Sequence, residues 1–99
     1  MATCIPLEKE MLPNRIAVQY VQGHLDFDRA RKIADEKANE HFENPMLMAW
    51  IDSKTGKFSP NIVCCQESKP SWLVYAENRG GDLSIDINDM EYVFVYRRG

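Results

Sequence analysis

The chain has 99 residues, 44% of them apolar and 27% charged, with a formal net charge of −3. That length and mix predict one folded domain, residues 1–99, with its own core, and they argue against disorder. Charge is spread evenly, 6 basic against 8 acidic residues up to position 50 and 6 against 7 beyond it; with no basic face to neutralise phosphates, nucleic acid is disfavoured as a partner.

Three cysteines are an odd number, so a fully paired disulfide framework is excluded. The opening stretch "MATCIPLEKEMLP" carries charges where a secretion signal needs an apolar core. No apolar run approaches the ~20 residues of a membrane helix. These features predict a cytoplasmic protein with reduced thiols and no membrane partner.

In chain order, residues 1–14 hold Pro6 and Pro13 and read as an extended N-terminal arm. "RIAVQYVQ" (Arg15–Gln22) alternates as a strand, closed by Gly23. "DFDRARKIADEKANEHFE" (Asp26–Glu43) is the clearest helix. Phe27, Ala30, Ile33, Ala34, Ala38, His41 and Phe42 fall on one stripe. Asp26 suits the N-cap, and Asn44 with Pro45 supplies the stop. The alanines predict a helix lying close against a sheet.

"PMLMAWID" (Pro45–Asp52) reads as a strand with Met46, Met48 and Trp50 on one face and Leu47, Ala49 and Ile51 on the other. "DSKTGK" is a turn that uses Gly56 at positive φ. "KFSPNIVCCQ" (Lys57–Gln66) reads as a strand in which Pro60 marks an edge or bulge. "SWLVYAE" (Ser71–Glu77), "LSIDI" (Leu83–Ile87) and "MEYVFVYRR" (Met90–Arg98) complete the set, the last two joined at Asn88-Asp89.

The expected fold is α+β: one amphipathic helix on a mostly antiparallel, curved sheet of about five to six strands, in the order β-α-β-β-β-β-β. One helix covers one sheet face, yet several strands are apolar on both. The second face must be covered by the arm, by curling of the sheet, or by another subunit. The reading favours self-association through the sheet, as a homodimer.

The candidate chemistry is sparse. Cys64 and Cys65, adjacent in a strand, point to opposite faces and read as structural thiols. His24 and His41 lie at opposite ends of the helix, about 25 Å apart at 1.5 Å per residue, too far to share a metal. No metal and no cofactor is expected. In "ENRGGD", Arg79, Gly80, Gly81 and Asp82 are candidate ligand-binding residues, because successive backbone N–H groups there could form an anion-binding nest; the plainer reading is a turn that needs positive φ. Asp82, Asp86, Asn88, Asp89 and Glu91 lack calcium-loop spacing, since Met90 stands at the third ligand position, and read as turn and solvated surface. Trp50, Trp72, Tyr75, Tyr92, Phe94 and Tyr96 read as strand residues packing a core or interface. They could otherwise line a small-ligand pocket with Arg79 or Arg97 fixing orientation.

At "ARKIADEKANEHF", "WIDSKTGKFSP" and "RGGDLSIDINDMEYVFVYR" the chain resembles a small prokaryotic family known only as a domain of unknown function, over roughly residues 15 to 98. The resemblance implies a cytoplasmic α+β protein of bacteria or archaea, and it supplies no activity or functional residue. The expectation is a non-catalytic binding or interaction module that self-associates through its sheet. The alternative is a small-molecule or anion-binding protein, or a small enzyme, using the Arg79–Asp82 loop and neighbouring carboxylates.

Overall fold

The computed structural model describes residues 8–21, 23–60 and 71–98. A short 3-10 turn, Lys9–Met11, precedes strand β1 (Arg15–Val18). Helix α1 (Phe27–Asn39), strands β2 (Met46–Asp52) and β3 (Lys57–Ser59), helix α2 (Ser71–Asn78), and strands β4 (Leu83–Ile87) and β5 (Tyr92–Arg97) follow. The strands form one sheet in the order β1-β4-β5-β2-β3, in which β1 runs parallel to β4 and the other three pairings are antiparallel. The α+β class and the mostly antiparallel sheet are as the sequence indicates.

α1 begins where expected. Asp26 is its N-cap, with Oδ1 accepting the Arg29 N–H at 2.9 Å. Ala30, Ala34 and Ala38 are all fully buried, one turn apart on one face. With only methyl groups there, the helix approaches Leu83, Ile85 and Ile87 of β4 and Phe94 and Tyr96 of β5. Phe27 closes its N-terminal end, its ring 4.5 Å from that of Trp50 and 5.6 Å from that of Phe94. The helix ends at Asn39, before the predicted stop. Phe42 still reaches the core because the chain keeps turning, with its N–H on the Ala38 carbonyl at 2.9 Å. His41 leaves the stripe and is exposed.

The main correction concerns Ser71–Glu77, which is helix α2 rather than a strand. Trp72, Leu73 and Ala76 are buried on the sheet face opposite α1, against Ala49, Val93 and Val95. The arm completes that cover: Leu12 is buried in the same cluster and Met11 packs beside it. Two of these elements remove the premise of the face-to-face dimer, because the face judged bare is covered within the chain. A second correction is a bulge in β2. Leu47 pairs with Tyr96 and Ala49 with Val95, so Met48 is an extra residue. Leu47 and Trp50 therefore share the α1 face, while Met48, Ala49 and Ile51 share the α2 face. β3 is an edge strand ending at Ser59, just before Pro60, in keeping with the edge reading of that proline. Cys4, Cys64 and Cys65 lie outside the described residues.

Candidate functional site

The Arg79–Asp82 loop is built as the end of α2. Gly81 N–H bonds to the Ala76 carbonyl at 2.7 Å and Gly80 N–H to the Glu77 carbonyl at 3.2 Å, with Gly80 at φ +91°. This is the Schellman closure of a helix, which calls for glycine at the left-handed position. The Asp82 N–H bonds to the Tyr96 carbonyl at 2.9 Å. All three amides are therefore engaged inside the fold, which takes away the donors an anion nest would need. The Arg79 guanidinium stacks on the Tyr75 ring at 3.9 Å. Asp82 lines a cavity.

That cavity lies at the end of the sheet where β1 and β4 begin. It has a volume of about 450 Å³ and is lined by Asn14, Arg15, Ile16, His41, Phe42, Asp82, Leu83 and Arg98. Six parts of the chain meet there: the arm, β1, the exit of α1, the loop before β4, the start of β4, and the residue after β5. Asn14 ties the arm to the loop, its Nδ2 donating to the Asp82 carbonyl at 2.7 Å and to Asp82 Oδ1 at 2.9 Å. Arg98 sits over the Phe42 ring at 4.8 Å. Among the described residues, no carboxylate lies within ion-pair distance of Arg98. A smaller recess of about 360 Å³ continues from it past His41, Glu43 and Asn44.

Arg15 is held from beneath. Its Nε donates to Asp86 Oδ2 at 2.6 Å, and Asp86 Oδ1 accepts the Met90 N–H at 2.5 Å. Asp86 is fully buried on the α2 side of β4 and is thus no part of a solvated acidic face. It pairs one charge and caps the β4–β5 turn, where Asn88, Asp89 and Met90 all have positive φ. The Arg15 side chain therefore lies on the α2 side of the sheet with Ser84 and Asp86, 30% exposed, and Arg15 borders the α1-side cavity only from its place at the start of β1. Beside it in register is Ser84, whose buried Oγ has no hydrogen-bond partner among the described residues.

Another cleft, of about 490 Å³, runs between α1 and the start of β2 past Arg31, Asp35, Asn39, Met46 and Tyr96. Its charges are matched internally. The Tyr96 hydroxyl donates to Asp35 Oδ1 at 2.5 Å, and Arg31 Nε lies 3.7 Å from Asp35 Oδ2. Burial first, then that hydrogen bond, pushes the Tyr96 hydroxyl far above the usual tyrosine range, so it stays a donor. Arg97 turns its Nε to the Arg98 carbonyl at 3.2 Å.

Trp72 and Tyr75 belong to α2 rather than to strands. The sequence reading missed Asn14, Arg15 and Arg98, and it weighed His41 only as a metal ligand or a partner for a thiol. Its one usable signal was the pair Arg97-Arg98 closing an apolar strand, where side chains leave the core. Among the described residues, no group of three or more His, Cys, Asp or Glu side chains could hold a metal ion, and no helix is long and apolar enough to cross a membrane.

Two comparisons align with this architecture. An "uncharacterized protein" of Archaeoglobus fulgidus is 38% identical over 74 residues, covering 75% of this chain and 78% of that one. The crystal structure of the protein AF1514 from the same organism superposes with a TM-score of 0.73 at 32% identity, covering 89% of this chain and 96% of that chain. The family profile described as "Domain of unknown function (DUF5619)" matches residues 13–96, and the chain belongs to that family.

Proposed function

We propose that the protein is a cytoplasmic, non-catalytic binding module that takes a small anion at Arg98, in the cavity that Asn14 and Asp82 also line. One observation carries the reading: the Arg98 guanidinium, seated over Phe42, lines a concavity with its N–H donors unengaged and no carboxylate within ion-pair distance among the described residues. The cavity volume, about 450 Å³, falls within the range of small-molecule sites. Arginine suits the task because its rigid fork of donors presents two parallel N–H groups to an oxyanion.

A thermal-shift screen at constant ionic strength, using small carboxylates and inorganic phosphate, tests this. At least one anion should raise the unfolding midpoint of the native chain and leave that of Arg98→Ala unmoved, because a ligand that binds the folded state must stabilise it. Equal shifts in both proteins, or none in either, would reject the site.

We propose separately that the chain self-associates, through the edge strands β1 and β3 rather than the sheet face, since α2 and the arm pack on that face. Light scattering behind size-exclusion chromatography decides it. A doubled mass supports edge pairing, and a single-chain mass at high micromolar concentration rejects it.

A further inference from the structure

The cavity's own charges narrow the anion. Arg15 is held by Asp86 on the other side of the sheet, its Nε 2.6 Å from Asp86 Oδ2, and adds no free charge to the cavity. Arg98 is then the cation without a described carboxylate partner, and the Asp82 carboxylate lines the same cavity. Asp82 Oδ1 takes one bond from Asn14, and among the described residues its Oδ2 takes none, which leaves an acceptor at the rim. A dianion such as phosphate would meet one free positive charge and one negative charge. A ligand with a single carboxylate and its own donor would satisfy both. The planar guanidinium fork also matches a carboxylate in two-point contact. Ile16, Phe42 and Leu83 form an apolar wall beside these groups.

We infer that the cavity binds a compact α-amino or α-hydroxy acid with an apolar side chain. Its carboxylate meets the Arg98 N–H groups, its amine or hydroxyl donates to Asp82, and its side chain lies on Ile16, Phe42 and Leu83. This rests on the anion reading above. It adds a requirement that the anion reading does not make, namely a hydrogen-bond donor beside the carboxylate.

Calorimetric titration of the full chain at fixed ionic strength separates the two. The probes are L-leucine, 2-hydroxy-4-methylpentanoate, 4-methylpentanoate, which has the same skeleton without the donor, and inorganic phosphate. L-leucine or the hydroxy acid should bind about tenfold or more tightly than 4-methylpentanoate, since a site with an unpaired acceptor rejects the analogue lacking the donor. Asp82→Asn should shrink that preference to about twofold or less while leaving 4-methylpentanoate binding in place. It keeps the Asn14 bond to the residue 82 carbonyl, and far-ultraviolet dichroism checks its fold. If 4-methylpentanoate or phosphate binds as tightly as leucine, the inference fails and the anion reading stands. If no probe binds, both fail. A donor preference that survives Asp82→Asn also overturns the assignment.

Discussion

At the end of the sheet where β4 turns into β5, the charged groups close on one another. Lys54 Nζ lies 2.7 Å from Glu91 Oε2 and also donates to the Leu25 carbonyl at 2.9 Å. Asp52 Oδ1 accepts the Lys54 and Thr55 N–H groups, and Asn88 exchanges two hydrogen bonds with the backbone of Tyr20. At the opposite end, Arg98 rests on Phe42 and Asp82 is half used by Asn14 among the described residues. The first end fastens the turns and holds α1 to the sheet. The second leaves hydrogen-bonding capacity facing a cavity, and in a folded protein such capacity is where a ligand can gain affinity. Substitutions at the fastened end should therefore cost stability, and those at the open end should cost binding.

Asp86 lies between the two ends and carries the largest expected effect. Asp86→Ala would leave the Met90 N–H and the Arg15 guanidinium without their acceptor, at a cost of roughly 3–5 kcal/mol in urea unfolding. A cost below about 1 kcal/mol would show that the pair holds nothing together. Gly81→Ala comes next. Its new Cβ would stand 2.7 Å from the Ala76 carbonyl oxygen and 3.1 Å from Val95 Cγ1, so α2 or β5 must shift, at about 1–3 kcal/mol. Loss of the α2 closure would appear first as faster amide exchange over residues 71–78.

Tyr96→Phe removes the bond to Asp35 and should cost about 1–2 kcal/mol at neutral pH. Its pH dependence has a definite sign. The folded hydroxyl titrates above the unfolded value of 10.0, so the native chain holds this stability below pH 10 and loses it progressively as pH rises beyond. The gap between native protein and Tyr96→Phe should narrow above pH 10, and a constant gap would refute the cause assigned. Ser84→Ala carries the smallest effect. Removing a buried hydroxyl with no described partner should leave stability unchanged or raise it by up to about 1 kcal/mol. A clear loss would mean that the hydroxyl is satisfied after all.

The regular half of the molecule was legible because its signals are local. The Asp26 cap, the alanines of α1, Gly56 at φ +78° and the Asn88-Asp89 turn each follow from a few adjacent residues. α2 was misread because "SWLVYAE" is a short apolar run with no clear period, and such runs fit a strand or a buried helix equally. The flanks held the answer: Pro70 before it and Gly80-Gly81 after it mark a helix start and stop. The Met48 bulge left no local mark. The cavity was illegible for another reason. Asn14, Ile16 and Arg98 line one cavity only because β1 pairs in parallel with β4 across most of the chain, a pairing that no neighbouring residues encode.

The most direct test sets one substitution from each end side by side, measuring urea unfolding and L-leucine binding on the same preparations. Lys54→Ala should unfold more easily and keep the native affinity. Arg98→Ala should unfold like the native chain and lose binding. If Arg98→Ala binds as the native protein does, or if its main effect is on stability, the division of labour between the two ends is contradicted.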